Sequence, residues 1–211
     1  MDLQHALSQL DAIHAQVSRT ETFRGYRPLS VGMQGGLALA AAAAQATWFG
    51  SPAENVALYL QLWIGIASLA ASIVVIDLLL DCYSSPSQFA RRHTWQAIQQ
   101  FLPCIAAGGA LTWVLAYYSP DSLHLLPGLW SIVFSLGLFS AARQLPPATM
   151  LVAAYYLVGG LAAISLAAGD HTFSPWAMAG TFGIGQLATA WVLYADREWE
   201  SQPSARGKAT S

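Results

Sequence analysis

The nine basic residues, Arg19, Arg24, Arg27, Arg91, Arg92, Arg143, Arg197, Arg206 and Lys208, all fall on one side of a hydropathy pattern of six apolar blocks. Lysine and arginine concentrate in the cytoplasmic loops of membrane proteins, so this asymmetry predicts an even number of crossings with both termini in the cytoplasm. Each block is about twenty residues long, enough for a helix to cross roughly 30 Å of hydrocarbon. Of the 211 residues 55% are hydrophobic and only 9% charged. A soluble surface needs far more charge, roughly a quarter of all residues. The expected fold class is therefore all-α, a polytopic transmembrane helical bundle of about six spans with a short amphipathic N-terminal cytoplasmic helix. Three parts are expected: a cytoplasmic helix and basic juxtamembrane segment over 1–27, a six-helix domain over 28–194, and a disordered cytoplasmic tail over 195–211.

Leu3, Ala6, Leu10, Ile13 and Val17 recur at alternating spacings of three and four, which predicts an amphipathic helix over 2–18. Its polar face is not basic, which does not suit a strong lipid-surface anchor; the helix either packs against the bundle or self-associates, or it docks a protein partner in the membrane or cytoplasm. Span one is expected over Pro28 to Trp48, with Gly32, Gly36, Ala40 and Ala44 forming a small-residue stripe for close helix approach. This run ends in Ala44-Gln45-Ala46, a small-x-small pattern, but lies too far along the chain for a cleavable leader of ~15–30 residues. The remaining spans are expected over Val56 to Asp77, Phe101 to Tyr118, Leu125 to Ala142, Ala148 to Ala167 and Pro175 to Tyr194. The segment Asp81 to Gln100 reads as a loop followed by an amphipathic approach, which puts Pro103 in the first turn of span three. The tight Arg143 to Pro147 connection makes spans four and five antiparallel neighbours. Trp48, Tyr117, Tyr118, Trp176 and Tyr194 fall where helices should meet headgroups.

Each predicted external loop carries one carboxylate, Glu54, Asp121 and Asp170, and His124 and His171 stand close to the last two. His and carboxylate ligands suit zinc or another divalent metal, which makes Asp121, His124, Asp170 and His171 candidate ligands. Loops that exclude Lys and Arg are acidic by default, so the same residues also fit plain solvated loops. Asp77 is the one carboxylate expected inside or at the edge of a span, where charge is costly; it is either functional or an interfacial group able to pair with Arg91 or Arg92. Gln34, Gln61 and Gln186 are the other candidate intramembrane polar sites and, with Gln45, place amides in or near spans one, two and six as inter-helix hydrogen-bonding groups or as the lining of a path. Gln186 follows Gly180, Gly183 and Gly185, three glycines in two turns that leave room for a ligand or a bend. Cys82 and Cys104 are expected as free thiols.

No histidine lies mid-span to ligate a haem, and the chain lacks HExxH, GxSxG, GxxxxGK[ST] and CxxC. With a net charge of −2 and no basic patch, nucleic acid is excluded as a partner. Phe23-Arg24-Gly25-Tyr26, Leu126-Pro127-Gly128-Leu129-Trp130, Ser174-Pro175-Trp176-Ala177-Met178 and Phe182-Gly183-Ile184-Gly185-Gln186 resemble an uncharacterised family of small six-span bacterial inner-membrane proteins. The resemblance implies a bacterial inner-membrane location and brings no mechanism. The expected function is an accessory, assembly or sensory membrane subunit. The alternatives are a small permease or channel for a neutral or lipid-like substrate and, third, a metal-assisted enzyme at the external face.

Overall fold

A computed structural model describes residues 27–48, 55–84, 88–142, 145–167 and 172–201, and within them the side chains at 78, 81–84, 88–98, 100 and 199–201 lie outside the description. The expected helix over 2–18, Glu54, Asp170, His171 and the tail beyond 201 fall outside the described residues. The described chain is helical, without a strand. Helix α1 covers Pro28–Trp48, α2 Val56–Ser84, α3 Gln88–Tyr118, α4 Leu126–Ala141 and α5 Thr149–Leu166. A 3-10 turn over Pro120–Leu125 joins α3 to α4. Helix α6 runs as Pro175–Met178, widens into a π-helical turn over Ala179–Ile184, and continues as Gly185–Ser201. Helical dihedrals at Ala179 and Gly185 make these three pieces one continuous rod.

Among the described residues four stretches are long and apolar enough to cross a membrane: Val56–Asp77, Phe101–Tyr118, Pro120–Ala141 and Thr149–Leu166. Helix α1 is not among them because Gln34, Gln45 and three glycines dilute its apolar character, nor is α6, which is interrupted by its π-turn and ends in a charged segment. Both lie at the centre of the bundle. On α1, Val31, Gln34, Gly35, Ala38, Ala41, Ala42 and Gln45 are buried, one face at three-and-four spacing.

Cross-helix contacts fix the order. Gly35 of α1 meets Gly183 and Leu187 of α6, and Gly32 faces Ala190, so these two run antiparallel. On its other flank α1 runs antiparallel to α2, as Ser30 meets Asp77 and Gln45 meets Trp63. Helices α4 and α5 form the most extensive pair, and it is antiparallel as the short connection requires. Ser131 Oγ donates to the Tyr156 carbonyl and Ser135 Oγ to that of Ala153, both at 2.8 Å. Between them the backbones touch at two glycines. A methyl at Gly128 would lie 2.5 Å from the Gly160 carbonyl oxygen, and one at Gly160 would lie 2.8 Å from that of Gly128. Only paired glycines permit this approach, the small-residue packing that replaces hydrophobic drive inside a membrane-type bundle. Helix α3 leans on α4 through a single half-buried stripe, Phe101, Cys104, Gly108, Leu111, Thr112 and Leu115. Trp130 Nε1 donates to Thr112 Oγ1 at 3.0 Å across that seam.

The core has two layers. At the upper end, which carries Trp48, Tyr118 and Phe173, Ala38, Ala41, Ala42, Tyr59, Trp63, Leu126, Phe173 and Met178 pack together. Nearer the other end, Val31, Leu138, Ala141, Val152, Ala153, Tyr156 and Leu193 form the second layer. Helical Ser and Thr hydroxyls turn back onto their own backbone, as Ser72 to Ser68, Ser165 to Leu161 and Thr189 to Gly185. Hydroxyls satisfied in this way need no water.

Three expected borders move. Helix α2 continues to Ser84 and α3 starts at Gln88, so the loop expected from Asp81 shrinks to the residues between them and the approach expected after it is the start of α3. Pro103 consequently sits inside α3 and not in its first turn; it forgoes one backbone bond, to the carbonyl of exposed Gln99. Helix α6 runs to Ser201, into the region expected to be a disordered tail, and Tyr194 Oη donates to Glu198 one turn on. In each case the hydropathy boundary marks where apolar surface ends, while the backbone carries its hydrogen bonds further.

Candidate functional site

The polar groups of this apolar bundle gather along α1 and at the break in α6. At the upper end Gln45 and Trp63 are each only 2% exposed. Trp63 Nε1 donates to Gln45 Oε1 at 2.8 Å, and Gln45 Nε2 donates to the Phe173 carbonyl at 3.0 Å. An indole only donates and a carbonyl only accepts, so these partners set the amide orientation. One side chain thus ties α1, α2 and the entry to α6. Phe173 has a φ of 58°, the left-handed region that a bulky residue seldom adopts. The bond from Gln45 and the Tyr59 ring, 5.0 Å away between centroids, hold it there.

At the lower end Ser30 Oγ donates to Asp77 Oδ2. Ser30 is the third residue of α1, so the half-buried carboxylate of Asp77 lies against the first turn of that helix, where unpaired N–H groups and the macrodipole favour negative charge. Gln34, one turn further along α1, is buried, and its Nε2 has no partner.

In the middle of the bundle the π-turn of α6 lies beside the α5 pair Tyr155 and Tyr156. Tyr155 Oη donates to the Gly180 carbonyl inside the turn. Tyr156 is fully buried between Phe134 and Phe182, with ring centroids at 4.8 and 5.6 Å, and its ring lies on Gly185. A methyl at Gly185 would come within 2.4 Å of Tyr156 Cζ. The Tyr156 hydroxyl, like that of buried Tyr59, has no hydrogen-bond partner. π-Turns recur where a helix is adapted for function, and here three features coincide: the widened turn, a donor latched onto it, and a buried hydroxyl without an acceptor.

The sequence candidates fall into separate places. Gln34 and Asp77 lie on the α1/α2 seam, and Gln186 is half-buried just after the π-turn. Gln61 is exposed, two residues from inward-facing Tyr59 and Trp63, and is not brought together with Gln34. Asp121 and His124 share the 3-10 turn, where His124 Nδ1 donates to the Asp121 carbonyl at 2.7 Å and the Asp121 carboxylate is exposed. Their expected co-ligands Asp170 and His171 are outside the described residues, and among the described residues no three His, Cys, Asp or Glu side chains are grouped to hold a metal. Cys104 is a free thiol packed on Gly137. Tyr59, Trp63, Tyr155 and Tyr156 were not singled out by the sequence, because a polar-tipped aromatic in an apolar block looks like core. Their one available signal is three-and-four spacing, which puts Tyr59 and Trp63 on a single face. No protein-family model, no curated protein and no solved structure matches this chain.

Proposed function

We propose that this is a six-span bacterial inner-membrane protein with both termini in the cytoplasm, acting as an accessory, assembly or sensory subunit and not as an enzyme. Four stretches satisfy length and hydropathy on their own. The 21 residues of α1 rise about 31 Å, enough to span, and α6 runs antiparallel beside it, so both share the layer crossed by their neighbours. Trp48, Trp113, Tyr117, Tyr118 and Trp176 stand exposed at the upper end, and Trp191 and Tyr194 at the other, in keeping with two interfacial belts. The bacterial origin rests on the resemblance alone.

The observation that carries the subunit reading is the state of α2 and α3. Among the described residues, 44% of the most apolar 18-residue window of Pro120–Ala141 and 28% of Thr149–Leu166 are buried, against 11% of the corresponding window of Val56–Asp77 and none of Phe101–Tyr118. Each of these last two helices packs along one partly buried face and leaves the other exposed, as suits lateral assembly. Affinity purification in mild detergent at native expression, with mass spectrometry, tests this. A stoichiometric membrane partner supports the reading, above all one lost on deleting residues 2–18, while a homogeneous particle without partners opposes it. A second reading, a small permease for a neutral or lipid-like substrate, draws on the broken α6 and the unpartnered Gln34 amide and Tyr156 hydroxyl inside the bundle. Uptake into proteoliposomes would favour it.

A further inference from the structure

We propose that α6 is a two-state helix whose π-turn, Ala179–Ile184, winds into α-helix and so moves the upper turn of α6 relative to the rest of the bundle. The two halves of the helix are held differently. Below the turn, Gly185 lies under the Tyr156 ring and Gly35 sits against Leu187, and at the lower end of the turn itself Gly35 meets the Gly183 carbonyl, so any sliding there meets backbone or a fixed ring. Within the turn Gly180 has open space where a side chain would be, and above it the α-helical piece Pro175–Met178 is a single turn with Trp176 67% exposed and only Met178 buried, in the upper core layer. A π-turn holds one residue more than the α-turn it replaces. Winding it up therefore displaces the upper turn by about one residue's rise, ~1.5 Å, and rotates it by ~100°.

One contact favours the present state: the bond from Tyr155 Oη to the Gly180 carbonyl latches the widened turn from the neighbouring helix. The Tyr156 hydroxyl beside it is buried without a partner, a cost that a rearrangement offering it an acceptor would relieve. The movement has an outlet. The upper turn of α6 begins just after Phe173, whose carbonyl Gln45 holds while also accepting from Trp63, so a shift of that turn is felt on α1 and α2. This inference does not depend on which function is correct.

The test is a spin-label distance between positions 176 and 136, both exposed, on a chain with Cys82 and Cys104 replaced by alanine. The full chain with Tyr155 intact should give one distance. Tyr155→Phe, which removes the latch without changing the ring, should add a second population displaced by more than about 3 Å, as expected from the rise and rotation of one residue. Deleting Gly180, which removes the extra residue, should leave that second population alone. An unchanged single distance in Tyr155→Phe overturns the proposal, as does a deletion variant whose distance is absent from Tyr155→Phe. Should the deletion variant fail to fold, Tyr155→Phe decides alone.

Discussion

Replacing Gln45 by leucine keeps the volume of a fully enclosed side chain and removes two hydrogen bonds at once. The Trp63 indole N–H loses its acceptor and the Phe173 carbonyl its donor. Counting lost bonds alone gives a small number, because inter-helix hydrogen bonds in membrane bundles average about 0.6 kcal/mol each and reach about 1.7. Counting orphaned groups gives more, since a buried donor or acceptor left unpaired costs about 1–3 kcal/mol. The two orphans differ. Trp63 is 2% exposed and packed on Tyr59, so its N–H cannot turn to solvent and takes the full penalty. Phe173 is 7% exposed at the end of the bundle, where a small backbone adjustment brings its carbonyl to water, so it takes the low end. The sum is about 2–4 kcal/mol for Gln45→Leu. Trp63→Phe removes the stranded donor, so the double variant should be less destabilised than the sum of the singles by about 1 kcal/mol. Equilibrium unfolding in mixed detergent micelles, followed by circular dichroism, measures all four corners of the cycle. Additivity within about 0.3 kcal/mol, or a neutral Gln45→Leu, would refute the argument that this amide is a tie between three elements.

The glycine crossing of α4 and α5 makes a paired prediction: Gly128→Ala must push apart two backbones and should cost about 1–3 kcal/mol, while Gly36→Ala, with nothing within 4 Å, should be neutral or slightly stabilising. Thermal unfolding of the two variants side by side checks it, and equal effects would mean that the crossing is looser than described. Asp77→Asn keeps an acceptor for Ser30 and loses the interaction of charge with the first turn of α1, so a loss below about 1 kcal/mol is expected in the same unfolding assay. A loss of several kcal/mol would give the charge of Asp77 a larger role than a tie between helices.

Much of the architecture was legible in the sequence because it depends on short-range quantities. Apolar length placed α1, α4 and α5 within a residue or two, and the Arg143 to Pro147 connection dictated the α4/α5 pairing. The glycines at 180, 183 and 185 announced an irregular α6, but not its form: a π-turn depends on which carbonyl Tyr155 reaches, and Tyr155 is on another helix. The bond from Ser30 to Asp77 was hidden for the same reason, since it exists only because α1 and α2 run antiparallel from a common end, while the Arg91 and Arg92 side chains lie outside the description. Gln45 was legible as an inter-helix amide; that it joins three elements needed Phe173, which is 128 residues away. The convergence of Asp121 and His124 with Asp170 and His171 depends on a loop beyond the described residues.

The central claim is that the chain crosses the membrane six times and brings both termini to the cytoplasmic side. Single cysteines placed in a chain otherwise free of them, at Ser8, Ser122, Gln144 and Ser204, and labelled in intact cells with a membrane-impermeant maleimide before and after permeabilisation, test it most directly. Only Ser122 should react from outside, with the other three reacting after permeabilisation. Positions 8 and 204 reacting from opposite sides would contradict the account, as would position 122 reacting from the same side as 144.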